Sequence, residues 1–400
     1  VSDRRPGRLG VGVVGAGRVG AVLGNALRGA GHPVVGVSAV SQESRDRADA
    51  LLPGVPVLQV PEVVRRAELV LLAVPDDALA DLVAGLAETG AWQVGQIVVH
   101  TSGRYGTQVL TPARAAGAIP LALHPAMTFT GTSLDLARLV GCPFAVTAPA
   151  AVLPIGQALV MEIGGEPTVL DEDARALYHA ALAHGANHLV VLVAQAAQAL
   201  AAAGVADPGR MLAPLLEAAL DGALRAESPG ELAALGDAAG SRAGAITSLT
   251  GPVRRGDAGT VAEHLAVLDA FAARAGAPDV PAAYRALARA ADARALSAGL
   301  LSQGAAARVL DALGPPSSAA GVAVETAPGA GADAADDGPV GGGASRTSHG
   351  PAVAGIEPDA GSLHSKRPRE DEQPPDEHDD QHDDEHDEQH DDEHDEQHDD

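Results

Sequence analysis

The stretch "GVVGAGRVG", Gly12 to Gly20, constrains the fold of this chain more than any other. Apolar residues lead into three glycines spaced G-x-G-x-x-G, and an alanine- and leucine-rich pattern follows. A strand over Leu9–Val14, a tight turn and a helix over about Arg18–Ala30 is the order that opens a βαβ unit. Gly15 permits the turn, Gly17 lets a backbone approach a pyrophosphate, and Gly20 lets helix and strand pack closely. Arg18 and Val19 fill the loop between Gly17 and Gly20. The unpaired N–H groups at the helix start suit a phosphate. Taken alone, the spacing also fits a plain structural turn; its place between strand and helix selects the dinucleotide reading.

The same alternation continues to about Leu170. The runs "LGVGVVG", "PVVGVSAV", "ELVLLAVP", "QIVVHTSG", "IPLALHP", "PFAVTA" and "EPTVL" read as strands separated by helical stretches. Continuous apolar strands of this kind predict a mainly parallel, doubly wound sheet covered on both faces. After Asp171 the strands stop. One long helix is expected over 171–204, then helices at 208–224, 230–239, 258–276, 280–297 and 302–313. The fold class is therefore α/β: a Rossmann-type domain over 9–170, an all-α domain over 171–314, and a low-complexity tail over 315–400 expected to be disordered.

Composition removes several function classes. The net charge of −26 is dominated by the last thirty residues, which hold eighteen Asp or Glu and no Lys or Arg. Neither the tail nor the rest has the basic surface of a nucleic-acid binder. The one cysteine, Cys142, allows no disulfide within the chain and fits a reducing compartment. The N-terminal stretch lacks the apolar run of a signal peptide, and "HLVVLVAQAAQALAAAGVA" carries two glutamines where a membrane span would be apolar. A cytoplasmic protein without membrane or nucleic-acid partners is expected. In the tail, His378, His382, His386, His390, His394 and His398 recur every four residues among carboxylates. They read either as a weak divalent-metal stripe or as a solvated repeat; no metal is expected in the folded part.

The end of the second strand bears on the coenzyme. NAD sites place Asp or Glu there for the ribose hydroxyls. "GVSAVSQESRDRA" instead offers Ser38 and Ser41, then Arg45 and Arg47, which suits a 2′-phosphate and favours NADP over NAD. In "LLAVPDDAL", Val74 and Pro75 would wall the coenzyme, and Asp76 or Asp77 would cap the next helix.

Two later strand ends carry polar groups where open α/β sheets bind ligands. "HTSG" offers His100, Thr101 and Ser102. "LHPAMTFTG" offers His124, Thr128 and Thr130, with His124 as an acid or base or as a buried structural histidine. On the long helix, His184, Asn187, His188 and Gln195 make a polar stripe on an otherwise apolar surface. Such a helix should be buried, with the stripe facing the cleft or another subunit. His179 lies off this stripe. In "SLTGPVRRGDAGTVAEHL", Asp257 should cap a helix, while Arg254 or Arg255 reads as a carboxylate clamp or as a solvated loop residue.

Together "GVVGAGRVG", "LVLLAVPDDAL", "VVHTSG", "LHPAMTFTG", "YHAALAHGANHLVVL" and "LTGPVRRGDAGTVAEHL" resemble Rossmann-like proteins that carry a DUF2520 helical domain. The wider group includes pyrroline-5-carboxylate reductase, ketopantoate reductase, prephenate dehydrogenase and the 6-phosphogluconate and β-hydroxyacid dehydrogenases. The resemblance implies NADP, a 6-phosphogluconate dehydrogenase-like helical domain completing the cleft, and a homodimer. Ser102 and His124 match in place the serine and histidine that contact the reacting hydroxyl in prephenate dehydrogenases. Asn187 matches an asparagine of β-hydroxyacid dehydrogenases, but their lysine position is Ala183, with His184 nearby as a substitute. The expected activity is hydride transfer between NADPH and a small, carboxylate-bearing keto or hydroxy compound or an imine, with Thr128 and Arg255 toward the substrate. A non-catalytic NADP sensor or scaffold and a deazaflavin-dependent NADP reductase are the alternatives.

Overall fold

The computed structural model describes residues 7–227 and 244–315. The expected helix at 230–239 and the histidine-rich tail lie outside the described residues. All seven apolar runs form strands: β1 (Val11–Val14), β2 (Val34–Ser38), β3 (Leu69–Leu72), β4 (Ile97–His100), β5 (Ile119–Pro125), β6 (Pro143–Thr147) and β7 (Glu166–Val169). They build one sheet in the order β2-β1-β3-β4-β5-β6-β7. Neighbours are parallel except β5 and β6, which run antiparallel.

Period-two alternation in the strands sends side chains to two separate cores. Val11, Val13, Leu69, Leu71, Ile97, Val99, Leu121 and Leu123 pack on one face. There they meet α1 (Arg18–Gly29), α2 (Gln42–Leu51), α6 (Leu134–Leu139) and α7 (Leu153–Glu162). Val14, Val70, Leu72 and Val98 pack on the other, under α3 (Val60–Arg66), α4 (Asp76–Glu88) and α5 (Thr111–Ala115). Burial on both faces explains why these strands read as unbroken apolar runs.

A 3-10 turn over Glu172–Ala174 leads into α8 (Arg175–Ala202), followed by α9 (Pro208–Glu227). Beyond residue 244 come α10 (Pro252–Arg255), α11 (Ala258–Ala275), α12 (Asp279–Ser297) and α13 (Gln303–Leu313). Asp257 caps α11 as expected, accepting from the Thr260 N–H at 3.1 Å. Val253, Val261, Leu265, Ala288, Val309 and Leu313 form a small core among the last four helices.

The expectation that the long helix is buried is corrected. Of its 28 residues only Arg175 and Gln195 are buried. Leu177, Val190 and Val191 are 76%, 69% and 51% exposed. Toward its end Ala199 packs against Phe271 and Val280, but between Leu182 and Leu192 the apolar side chains are largely exposed.

Candidate functional site

The glycine turn is shaped by its neighbours. Gly15 has φ +96°, and a Cβ there would lie 2.6 Å from the Ala73 carbonyl oxygen, so only glycine fits without strain. At Gly20 a Cβ would run into the Gly15 carbonyl oxygen and lie 2.9 Å from the Ala73 Cβ. Gly17 differs: its backbone is extended, and nothing lies within 4 Å of where a Cβ would stand. Two of the glycines thus hold the turn, and the third leaves an open approach beside the start of α1. No side chain caps that helix end, so its first N–H groups remain available.

Polar residues around the turn divide in a way that the spacing did not foretell. Ser38 is buried, and its hydroxyl accepts from the Gly15 N–H at 3.0 Å. It braces the turn. Ser41 caps α2, accepting from the Ser44 N–H at 3.2 Å, and Arg45 is exposed on that helix. Arg47 instead converges with Arg18: a Cβ on Gly131 would lie 3.0 Å from Arg47 Nε and 2.9 Å from Arg18 Cγ. Two arginines, one at the start of α1, therefore flank a single glycine of the loop after β5. Val74 is half-buried beside the turn, at 3.4 Å from the Cβ position of Gly15, and Pro75 is exposed. The capping expectation for Asp76 or Asp77 is corrected. Pro75 is the N-cap of α4, and both acids lie in its first turn without a side-chain cap bond.

A second polar group forms at the carboxyl edge of β4 and β5. His124 is half-buried, and its Nδ1 lies 2.8 Å from the Tyr178 hydroxyl, with the rings edge to face. The His179 ring stands 6.3 Å away, also edge-on. The Nε2 side of His124 faces Gly103, where a Cβ would be 2.8 Å from Nε2 and 2.8 Å from His179 Cδ2. Any side chain at Gly103 would collide with both rings, so the glycine lets the two histidines close on the loop. Burial, the Arg175 charge and His179 together push His124 down to about 4, so the ring is neutral at pH 7.

Arg175 lies beneath this pair. It is 1% exposed, and among the described residues its guanidinium donates to neutral oxygens. These are Thr147 Oγ1 at 2.8 Å and the carbonyls of Ser102 at 3.1 Å, Ala122 at 2.9 Å and Ala145 at 3.0 Å. Desolvation pulls it down to about 10, which still leaves it charged at pH 7. Glu172 adds a second tie, accepting from the N–H groups of Thr107 at 2.7 Å and Gln108 at 3.1 Å. The loop after β4 is thus bound to the base of α8, one turn before Tyr178.

The remaining expected site residues are placed as follows. Ser102 is buried, and its hydroxyl oxygen accepts from the N–H groups of Arg104 and Tyr105, both at 3.2 Å. His100 is fully buried, held between Gly106 O at 2.8 Å and the Ser102 N–H at 3.2 Å, and it is structural. Thr128 is exposed. Arg254 donates to the Leu300 carbonyl at 2.9 Å, and Arg255 is exposed in the helical part.

His184 and His188 pair with each other at 2.8 Å in the open, and Asn187 is exposed beside them. Nine residues separate Tyr178 from Asn187, about 13 Å along a helix. One chain therefore does not bring His184 and Asn187 to His124. Gln195, the end of that stripe, turns inward to Asp279 at 2.8 Å. A separate cavity of about 440 Å³ lies in the helical part, lined by Leu192, Ala196, Val253, Leu268 and Leu287.

Sequence reasoning missed Arg175 and Tyr178. A tyrosine one turn after an arginine at a helix start was the available signal, but it is common on solvated helices.

Comparison with known proteins matches both parts of the chain. Residues 1–125 match the Rossmann-like domain, and residues 142–291 match a domain of unknown function, DUF2520. A candidate NADP oxidoreductase of Bacteroides fragilis is 22% identical with TM-score 0.55, over 71% of this chain and 98% of its own. An imine reductase of Pseudomonas sp. is 21% identical with TM-score 0.50, over 76% of this chain and 99% of its own. At these identities the likeness is one of fold. No curated protein matches the sequence.

Proposed function

We propose that this chain, a Rossmann-like domain joined to a DUF2520 domain, is an NADP-dependent oxidoreductase acting on a small keto, hydroxy or imine compound. The observation that carries the reading is the open Gly17 position beside the uncapped start of α1, with Arg18 and Arg47 converging at Gly131. A pyrophosphate fits the first feature, and a further phosphate fits the second. The chemistry of these donors suits an anion: free N–H groups and two guanidiniums gather there, and the carboxylate beside Gly131, that of Asp135, is buried and taken up by the N–H groups of Thr130 at 2.8 Å and Gly131 at 2.7 Å.

Gly15, Gly17 and Gly20 would hold the pyrophosphate, and Arg18 and Arg47 the 2′-phosphate, in place of the Ser41 and Arg45 pairing that the sequence suggested. The reduced nicotinamide, when bound, supplies a hydride. His124 donates a hydrogen bond from Nε2 to a substrate oxygen or nitrogen. Arg175, kept dry beneath, gives the cleft a positive potential, which suits a carboxylate-bearing substrate. Donors fixed before the reaction cost no reorganisation as charge develops.

In this reading residues 9–170 bind the coenzyme, and residues 171–314 supply the substrate side and a homodimer contact. A second copy is the natural cover for the exposed face of α8, and its helix would bring His184 and Asn187 toward a cleft they do not reach within one chain. Cytoplasmic location belongs to the same reading. The sensor alternative draws on one observation, the absence of His184 and Asn187 from the His124 cluster.

Isothermal calorimetry of the full chain with NADPH and NADH is the test. Micromolar or tighter NADPH uptake, at least tenfold stronger than NADH, is expected. Uptake of neither coenzyme would end the proposal.

A further inference from the structure

Within the reading above, His124 has no spare proton to give at neutral pH. Its ring is uncharged there, so an imidazolium donor is absent. A neutral ring can still deliver the proton on one nitrogen if the other gains one at the same time. The structure supplies a group at the right place: the Tyr178 hydroxyl, 2.8 Å from Nδ1. Among the described residues Nε2 has no hydrogen-bond partner of its own, and it lies close against Gly103 in a ring that is only half-buried.

We propose that Tyr178 is a positioning residue that holds His124 as its Nε2–H tautomer and passes a proton to Nδ1 when Nε2 gives its own to substrate. The bookkeeping closes. The substrate carbon gains a hydride from the reduced nicotinamide, and the C=O or C=N electron pair moves to oxygen or nitrogen. That atom bonds the proton leaving Nε2. An Nδ1–H bond forms as the Tyr178 O–H bond breaks; once product has left, Nε2 takes a proton from solvent and Nδ1 returns its own to the tyrosinate, which restores the resting tautomer.

The charges around the pair fit this direction of transfer. Arg175 lies one helical turn before Tyr178, is buried, and among the described residues hydrogen-bonds to neutral oxygens. Its charge favours a tyrosinate and opposes an imidazolium, as its effects on Tyr178 and His124 both show. Burial raises Tyr178, which keeps its proton in the resting state. The other groups facing the pair are His179 on α8, His100 on β4, Asp76 at the start of α4, and Cys142 before β6. Asp76 is the group among them that favours a charged ring, and burial together with Arg175 outweighs it.

The experiment is long-range proton–nitrogen NMR of the full chain with ¹⁵N-labelled histidine, without coenzyme, between pH 5 and 8. His124 signals are those missing from His124→Gln. Nε2 is expected to carry the proton, and Nδ1 to be an accepting nitrogen, with no titration above pH 5. Tyr178→Phe should shift the tautomer ratio at least about threefold toward Nδ1–H while leaving NADPH affinity unchanged by calorimetry.

Should that variant not fold, 3-fluorotyrosine at all three tyrosines serves instead. The more acidic phenol should move the Nδ1 signal, with the exposed His264–Tyr284 pair at 2.9 Å as the internal comparison. An Nδ1–H tautomer in the unaltered chain, an imidazolium at pH 7, or nitrogens indifferent to both changes would overturn the relay. Failure to bind NADPH would instead remove the oxidoreductase reading, and the tautomer result distinguishes the two.

Discussion

At the scale of single residues, the three turn glycines do different work. Gly15 and Gly20 are held by contacts that a Cβ would violate, whereas Gly17 stands in open space with an extended backbone. Gly17→Val should therefore fold with stability within about 0.5 kcal/mol of the parent by urea unfolding, yet bind NADPH at least tenfold more weakly. A comparable loss of stability would mean that Gly17 serves the fold instead. His100 makes a pH prediction. Burial pushes it down to about 4, so in the folded state it resists a proton that the unfolded chain accepts from its ordinary 6.5 downward. Its contribution is whole above pH 6.5 and is lost as pH falls toward 4, on the order of 3 kcal/mol at about 1.4 kcal/mol per pKa unit. His124 acts in the same direction. Denaturation midpoints measured from pH 7.5 to 4 should fall through this window, and less steeply in His100→Gln.

At the scale of elements, the decisive feature is the junction between sheet and helix. The Arg175 guanidinium ties the loop after β4 and the strands β5 and β6 to the first turn of α8. Arg175→Met would leave three carbonyls and the Thr147 hydroxyl short of a donor in a dry site. A loss of about 3–5 kcal/mol is expected, as for breaking a buried charged network, and chemical denaturation would measure it. An Arg175→Met chain as stable as the parent would show that water replaces the guanidinium. The strands themselves were legible because short unbroken apolar runs rich in β-branched residues are local properties of the sequence. The capping of α4 was not: "VPDD" offers two acids where a cap is common, and Pro75 took the position.

At the scale of the whole molecule, α8 is the unfinished part. Its 28 residues are too apolar to stand in water along most of their length, and apolar patches of this extent mark contact surfaces. Sedimentation should find a dimer at micromolar concentration, and Val190→Asp should give a folded monomer with unchanged far-ultraviolet dichroism. A monomeric parent would remove the homodimer from the proposal. A mainly parallel sheet covered on both faces followed from the alternation of short apolar runs and helical stretches, which needs nothing beyond neighbouring residues in the chain; the strand order and the antiparallel β5–β6 pair did not. The glycine turn was legible for the same reason. The chemistry at the carboxyl edge was decided by tertiary structure alone. Ser102, Ala122, Ala145 and Thr147 come from the loop after β4 and from β5 and β6, and only their convergence makes Arg175 a buried cation and His124 a neutral imidazole. Local spacing predicts backbone conformation because dihedral preferences and face alternation act over a few residues. Burial and electrostatic environment are sums over groups far apart in sequence, so they exist only once the chain has folded.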